Sequence, residues 1–178
     1  ERLPERPPQM AARLHSLPQA YRTQHGMRRA LAALGYSEVV NFSFVEAQWE
    51  QDFAGNAVPI KLLNPIASNL AVMWSSLIGS LVQNLVQNLR HRASSARIFE
   101  IARVFRFDPA VSAGPLTVEG IDQPLYMAAI AYGPVWPEQW GRKPKHSTDF
   151  FDLKGDLEYL AASFAPGLQL EFIAAELK

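Results

Sequence analysis

Asp149, Asp152, Asp156 and Glu158 crowd into ten residues near the end of the chain and are of the type used for general acid–base work. Their spacing has a simpler account. Asp149 suits a helix N-cap, Asp152 sits three residues on in the first turn, and Asp156 and Glu158 suit a solvated helix face. Glu100 is a different case, because it lies in the middle of an apolar run, where a lone carboxyl needs a partner. Arg97, Arg103 or Arg106 could supply one, either as a structural ion pair or as part of a ligand site. Arg90, Arg92, Arg97, Arg103 and Arg106 make the densest basic region, and the GRKPKH stretch from Gly141 to His146 makes a second. Both have the chemistry to touch a phosphate backbone, and both read equally well as a solvated helix end and a basic loop.

Other chemistries find little support. His15, His25, His91 and His146 are far apart and not at metal-ligand spacing. Lys154-Gly155 lacks the preceding glycines of a phosphate loop. Trp136 and Trp140, in a Pro-rich loop, suit a partner surface or a loop folded over the protein's own core. The chain has no cysteine, which removes disulfides, thiolate catalysis and Cys-based zinc sites. Lys plus Arg and Asp plus Glu number 17 each, so the formal net charge is zero. A domain whose own task is gripping nucleic acid is usually basic, so such a role falls to a local patch or a partner.

The elements that must position these residues centre on Leu62–Asp108. Leu77, Ile78, Leu81, Val82, Leu85, Val86 and Leu89 recur at three- and four-residue spacings, which predicts one broad apolar stripe on a helix. Ser75 or Ser76 can cap its start, and Arg90, His91 and Arg92 suit its negative end. Ala96 to Phe107 alternates with both faces largely apolar, which predicts a central strand buried on both sides. Before this unit, a helix runs from Pro18 to about Leu34 with Gly35 as its C-cap. Glu38–Val45 then reads as a strand, Ala47–Phe53 as a short helix and Val58–Leu63 as a short strand. After it come a hairpin or loose connection over Asp108–Asp122, a strand over Leu125–Tyr132, a helix over Asp149–Phe164 and a last strand over Leu168–Ala174. Phe151, Leu153, Leu157, Leu160, Ala161 and Phe164 are the expected core side of that last helix. Gly155 is expected to let it approach the sheet. Strict βαβ alternation is absent, so an α+β fold is expected, an antiparallel sheet flanked by helices.

Residues 1–17 are Pro- and charge-rich, like a linker from a preceding domain, and 18–178 form the expected globular domain. The chain opens on Glu1, so it reads as a segment of a longer protein, with the domain incomplete at its C-terminal end. No apolar run approaches the roughly 18 residues of a membrane span, and no signal peptide is read. A cytoplasmic location is expected.

Three ordered stretches resemble a known family. LNPIASNLAVMWSSLIGSLVQNL, RIFEIARVF and DFFDLKGDLEYL are similar to the bacterial β subunit of phenylalanine–tRNA ligase, in its catalytic-like, class II synthetase-type module. GYSEVVNFSF at Gly35–Phe44 also fits. The resemblance implies an α2β2 enzyme that joins phenylalanine to tRNA(Phe) with ATP and Mg²⁺. Its chemistry belongs to the α subunit, so no catalytic residue, metal ligand or cofactor is expected here. It implies an α-subunit interface at Arg28, Val40, Phe42 and Phe44. It implies a relic ATP site at Glu100, Arg106 and Asp108, where class II motif 2 stands and where an Arg holds the ATP α-phosphate in active members. Arg90, Arg92, Arg142, Lys143 and Lys145 are the candidate tRNA or phosphate contacts. No Gly-rich motif 3 appears. Trp74 stands where the family usually has Arg, and Ala102 where it usually has Gly. Two rival readings are an active class II ligase or synthetase paralogue and a tRNA-binding module.

Overall fold

The computed structural model describes residues 24–136, 139–141 and 147–174. The linker reading of 1–17 and the start of the first helix at Pro18 lie outside these residues. Along the chain come α1 (Gln24–Ala33), β1 (Ser37–Glu38), β2 (Phe44–Val45), α2 (Ala47–Ala54), β3 (Val72–Met73) and α3 (Ile78–Arg90). They are followed by β4 (Ala96–Arg103), β5 (Arg106–Phe107), β6 (Ile121–Asp122), β7 (Leu125–Tyr132) and α4 (Phe150–Phe164). The architecture is α+β.

β4 is the central strand. It pairs in antiparallel register with β7 along its whole length, from Ala96 opposite Tyr132 to Arg103 opposite Leu125. On its other side lies β1, which runs parallel to it. The main sheet is therefore mixed, in the order β1-β4-β7. Period-2 alternation sends Phe99 and Ile101 into one core with Leu31, Tyr36 and Leu160, under α1 and α4. Val104, with Ala102 packed alongside, enters a second core with Val45, Val72, Trp74 and Leu77. A close approach of α2 to α3 fixes this second core: a Cβ on Gly79 would lie 3.1 Å from Phe53 and 3.3 Å from Trp49.

The expected strand Glu38–Val45 forms only at its ends. Val39 N–H still donates to Phe99 O at 2.9 Å, but the Asn41 N–H donates to the Glu100 carboxyl at 2.8 Å. A side chain has taken the place of the next ladder partner. The expected strand Ala96–Phe107 also divides. Val104 N–H donates to Pro124 O and Phe105 N–H to Trp74 O, so the chain leaves the main sheet before pairing again as the β5–β6 hairpin. Val58–Leu63 makes only an isolated bridge from Lys61 to Val72. The expected strand Leu168–Ala174 does not form. β7 keeps its outer edge without a ladder partner among the described residues.

The helices show two departures. Leu77 at the N-cap of α3 and Leu81 within it are buried, while Ile78, Val86 and Leu89, on the same apolar stripe, remain substantially exposed. In α4, Leu160 is buried but Phe151 and Leu157 face solvent. Gly155 is also exposed, and a Cβ there would meet nothing, so it does not mediate a close approach to the sheet. The start of α4 follows the sequence reading. Asp149 accepts from Phe151 and Asp152 N–H groups, and the Asp152 carboxyl accepts from Asp149 N–H, a complete capping box.

Asp156, on the inner side of α4, ties that helix to the sheet. Tyr36 Oη donates to its carboxyl at 2.7 Å, the Arg97 guanidinium forms a short ion pair with the same oxygen, and Arg97 also lies 4.6 Å over the Tyr36 ring. Burial and the hydrogen bond to Asp156 push the Tyr36 phenol above its ordinary value. The fold thus favours the neutral phenol. That contribution is fully present below the unfolded value of about 10 and is lost as pH rises through the folded one. Tyr36→Phe is expected to cost about 1 kcal/mol in chemical denaturation near neutral pH. It is also expected to lose less stability than the parent between pH 9 and 11.

Candidate functional site

The residues expected at a relic ATP site occupy three different surroundings. Glu100 is 2% exposed on β4. Its two carboxyl oxygens accept from Asn41 N–H and Asn41 Nδ2, each at 2.8 Å, and Asn84 Nδ2 on α3 donates to Asn41 Oδ1 at 2.9 Å. The expected arginine partner is absent. Arg97 is committed to Asp156, Arg103 donates to Gln123 O at 2.6 Å and Arg106 turns elsewhere. An amide fork and a backbone N–H satisfy the buried carboxyl without any ion pair.

Arg106 projects from β5 beside an open groove of 670 Å³. The groove is lined by Phe53, Gly55, Asn56 and Val58 from the end of α2 onward, by Ser75 and Ser76 ahead of α3, and by Phe107. The guanidinium stacks 4.9 Å over Tyr126 and one Nη leans on Ser75 O at 3.5 Å. Asp108 does not point into this groove's chemistry. Its Oδ1 accepts from Ala110 N–H at 2.9 Å, within the turn that opens the hairpin.

Sequence reasoning missed the carboxyl that anchors two of the groove's lining residues, Asn56 and Ser75. Glu50 on α2 is 2% exposed and accepts from Ser75 N–H, Ser75 Oγ and Asn56 Nδ2. This fixes the loop before α3 to α2, and it removes Ser75 as a helix cap. Neither serine caps α3: its N-cap is Leu77, with no side-chain cap bond, and Ser76 Oγ only accepts from Ile78 N–H at 3.3 Å just ahead of the helix. One signal was available: Glu50 sits between Trp49 and Phe53 on a short helix whose apolar residues face α3. Trp74 is wholly buried, and its indole N–H donates to Arg103 O at 2.7 Å. The position is therefore part of the core and not of the groove.

Among the expected interface residues, Val40 is 89% exposed and Phe42 is 70% exposed, on the unpaired stretch between β1 and β2. Phe44 pairs with Met73 in β2–β3. The Arg28 guanidinium bonds Glu38 at 2.6 Å, joining α1 to β1. Arg90 and Arg92 are exposed at the end of α3. Arg92 takes the left-handed conformation, φ 65°, that closes the helix. Arg142, Lys143 and Lys145 lie outside the described residues. Among the described residues no three His, Asp or Glu side chains converge as a metal site, and no helix is long and apolar enough to cross a membrane.

Comparison with known proteins decides the family. Residues 3–178 match the model for the phenylalanyl tRNA synthetase beta chain CLM domain. The chain belongs to this family. It is 52% identical over 176 residues to the phenylalanine–tRNA ligase beta subunit of Burkholderia lata, covering 99% of this chain and 21% of that protein. To the corresponding subunit of Bordetella pertussis it is 48% identical over 169 residues, covering 95% of this chain and 21% of that one. To that of Ralstonia nicotianae it is 51% identical over 160 residues, covering 90% and 20%. The chain thus spans about a fifth of the length of these relatives. Among solved structures, PylSc, a pyrrolysyl tRNA synthetase from Desulfitobacterium hafniense, shares the fold with a TM-score of 0.53 at 16% identity, over 84% of this chain and 46% of that one. The synthetase β-chain domain therefore has a class II synthetase-type fold.

In this β-chain domain Trp74 is a core residue, which generates a stability prediction. Trp74→Ala is expected to cost about 3–5 kcal/mol, read as a lowered denaturation midpoint. Trp74→Phe, which keeps one aromatic ring but removes the indole N–H and strands Arg103 O, is expected to cost about 1–3 kcal/mol.

Proposed function

We propose that this domain is a non-catalytic scaffold in phenylalanine–tRNA ligase. In this reading it packs against a catalytic α subunit within a cytoplasmic α2β2 enzyme, and it supports ATP- and Mg²⁺-dependent attachment of phenylalanine to tRNA(Phe). The observation that carries the reading is the environment of Glu100. A carboxyl at the motif 2-like position is sealed from solvent, and both its oxygens are spent on Asn41. Asp108 is likewise spent on a turn. Arg106 is then the one residue of a former ATP site that still faces a groove. No step of the reaction is assigned to it.

The exposed apolar side chains of Val40 and Phe42 support an α-subunit contact, since bare large apolar residues side by side mark interaction surfaces. Exposed Arg90 and Arg92 are offered as contacts to tRNA phosphates in the assembled enzyme.

The scaffold reading makes a paired prediction for the full β subunit co-expressed with its α subunit. Glu100→Ala strands the two Asn41 donors and is expected to cost about 2–3 kcal/mol of β-subunit stability. Aminoacylation per assembled complex is expected to stay at the parent rate. Calorimetry of the full β subunit alone is expected to show no ATP–Mg²⁺ binding. Tight ATP binding lost on Arg106→Ala would overturn the scaffold reading in favour of an active site.

A further inference from the structure

Beside the bare edge formed by Val40 and Phe42 lies a small cavity of about 110 Å³, between α2, α3 and the chain that leads into β2. We propose that it is an anchor pocket for one arginine side chain of the α subunit. This rests on the reading of that edge as the α-subunit contact.

Four observations carry it. First, Phe42 belongs to both features. It stands bare beside Val40 and it also lines the cavity, so a partner that covers the edge lies over the cavity mouth as well. Second, the size fits a side-chain tip. Pockets that hold a small-molecule ligand run to about 300–1,000 Å³, well above this one. Third, the lining suits a cation. Glu46 is the only charged residue that lines the cavity. It is the N-cap residue of α2 but makes no side-chain cap bond, and its full charge outweighs the half-charge of the helix end. Phe42, Phe44 and Trp49 supply aromatic surface, and Asn69 and Gln83 supply amide oxygens. A guanidinium stacks on an aromatic ring while its N–H groups donate to a carboxyl and to amide oxygens in its own plane. A tRNA phosphate or ATP would meet the Glu46 carboxyl and no cation. Fourth, the walls are set in advance. Asn41 is held by Glu100 and Asn84, and Trp49 packs edge-on against Phe53 at 6.1 Å. A preformed pocket lowers the ordering cost of binding, and arginine is among the side chains that most often anchor an interface.

The test uses the full β subunit co-expressed with its α subunit. A photo-crosslinking phenylalanine analogue replaces Gln83, an exposed lining residue, and mass spectrometry identifies the joined peptide. The expected product joins position 83 to an α-subunit segment that contains an arginine. Glu46→Lys is expected to weaken α–β association about tenfold, read by sedimentation over a dilution series, and Glu46→Gln about threefold. Reversing the crosslinked arginine to Glu is expected to restore association with the Glu46→Lys subunit. Thermal melts of the β subunit establish that both Glu46 variants fold. A crosslink only within β or to tRNA, an α segment without arginine, no crosslink at all, or association indifferent to Glu46→Lys would each overturn the proposal. Co-purification of the unaltered subunits reports separately on the scaffold function. If α and β co-purify while the pocket results fail, the pocket falls and the scaffold reading stands. If they do not co-purify, both fall.

Discussion

The fold turns on a carboxyl group in the middle of its central strand. Glu100 sits where an apolar residue would ordinarily complete the second core, and burial without donors would make it a large liability. Asn41 resolves the problem with two donors and is itself held by Asn84 on α3. Three elements are thereby locked together: β4, the segment between β1 and β2, and α3. The lock also has a shape consequence. Because Asn41 N–H serves a side chain, the strand that carries Val40 and Phe42 peels away from the sheet, and both side chains stay bare.

A second buried carboxyl does similar work on the same side of the sheet. Glu50 gathers Ser75 and Asn56, which holds α2, its following turn and the loop before α3 in one unit. The groove beside Arg106 is the outer surface of that unit. The interior therefore relies on neutral donors for its acids, and the arginines are left for the periphery. Arg97 joins α4 to the sheet, Arg28 joins α1 to β1 and Arg106 faces the groove.

The sequence made the regular elements legible where pattern and packing agree. β7 has the bounds that its apolar run suggests, the β5–β6 hairpin forms across the Pro- and Gly-rich stretch, and the Asp149–Asp152 capping box is present. It failed where a polar side chain overrides the pattern. EVVNFSF is β-branched and aromatic, yet one Asn in its centre, drawn to a carboxyl 59 residues away, decides its conformation. That pairing leaves no trace in local spacing. Charge alone points to arginines as the partners of Glu100, but Arg97, Arg103 and Arg106 are engaged by Asp156, Gln123 and Tyr126. Apolar periodicity also overstated burial. Phe151 and Leu157 in α4 satisfy a helical stripe, but the helix rests on the sheet by a narrower contact around Leu160.

β7 is eight residues long and ends the main sheet with one row of backbone groups unanswered among the described residues. Such a rim is a template for another chain, and natural sheets blunt it with charges, proline or a covering segment. LYMAAIAY offers neither charge nor proline. A rim left open in this way favours edge-to-edge self-association of the isolated domain, with the eight residues of β7 as its nucleus.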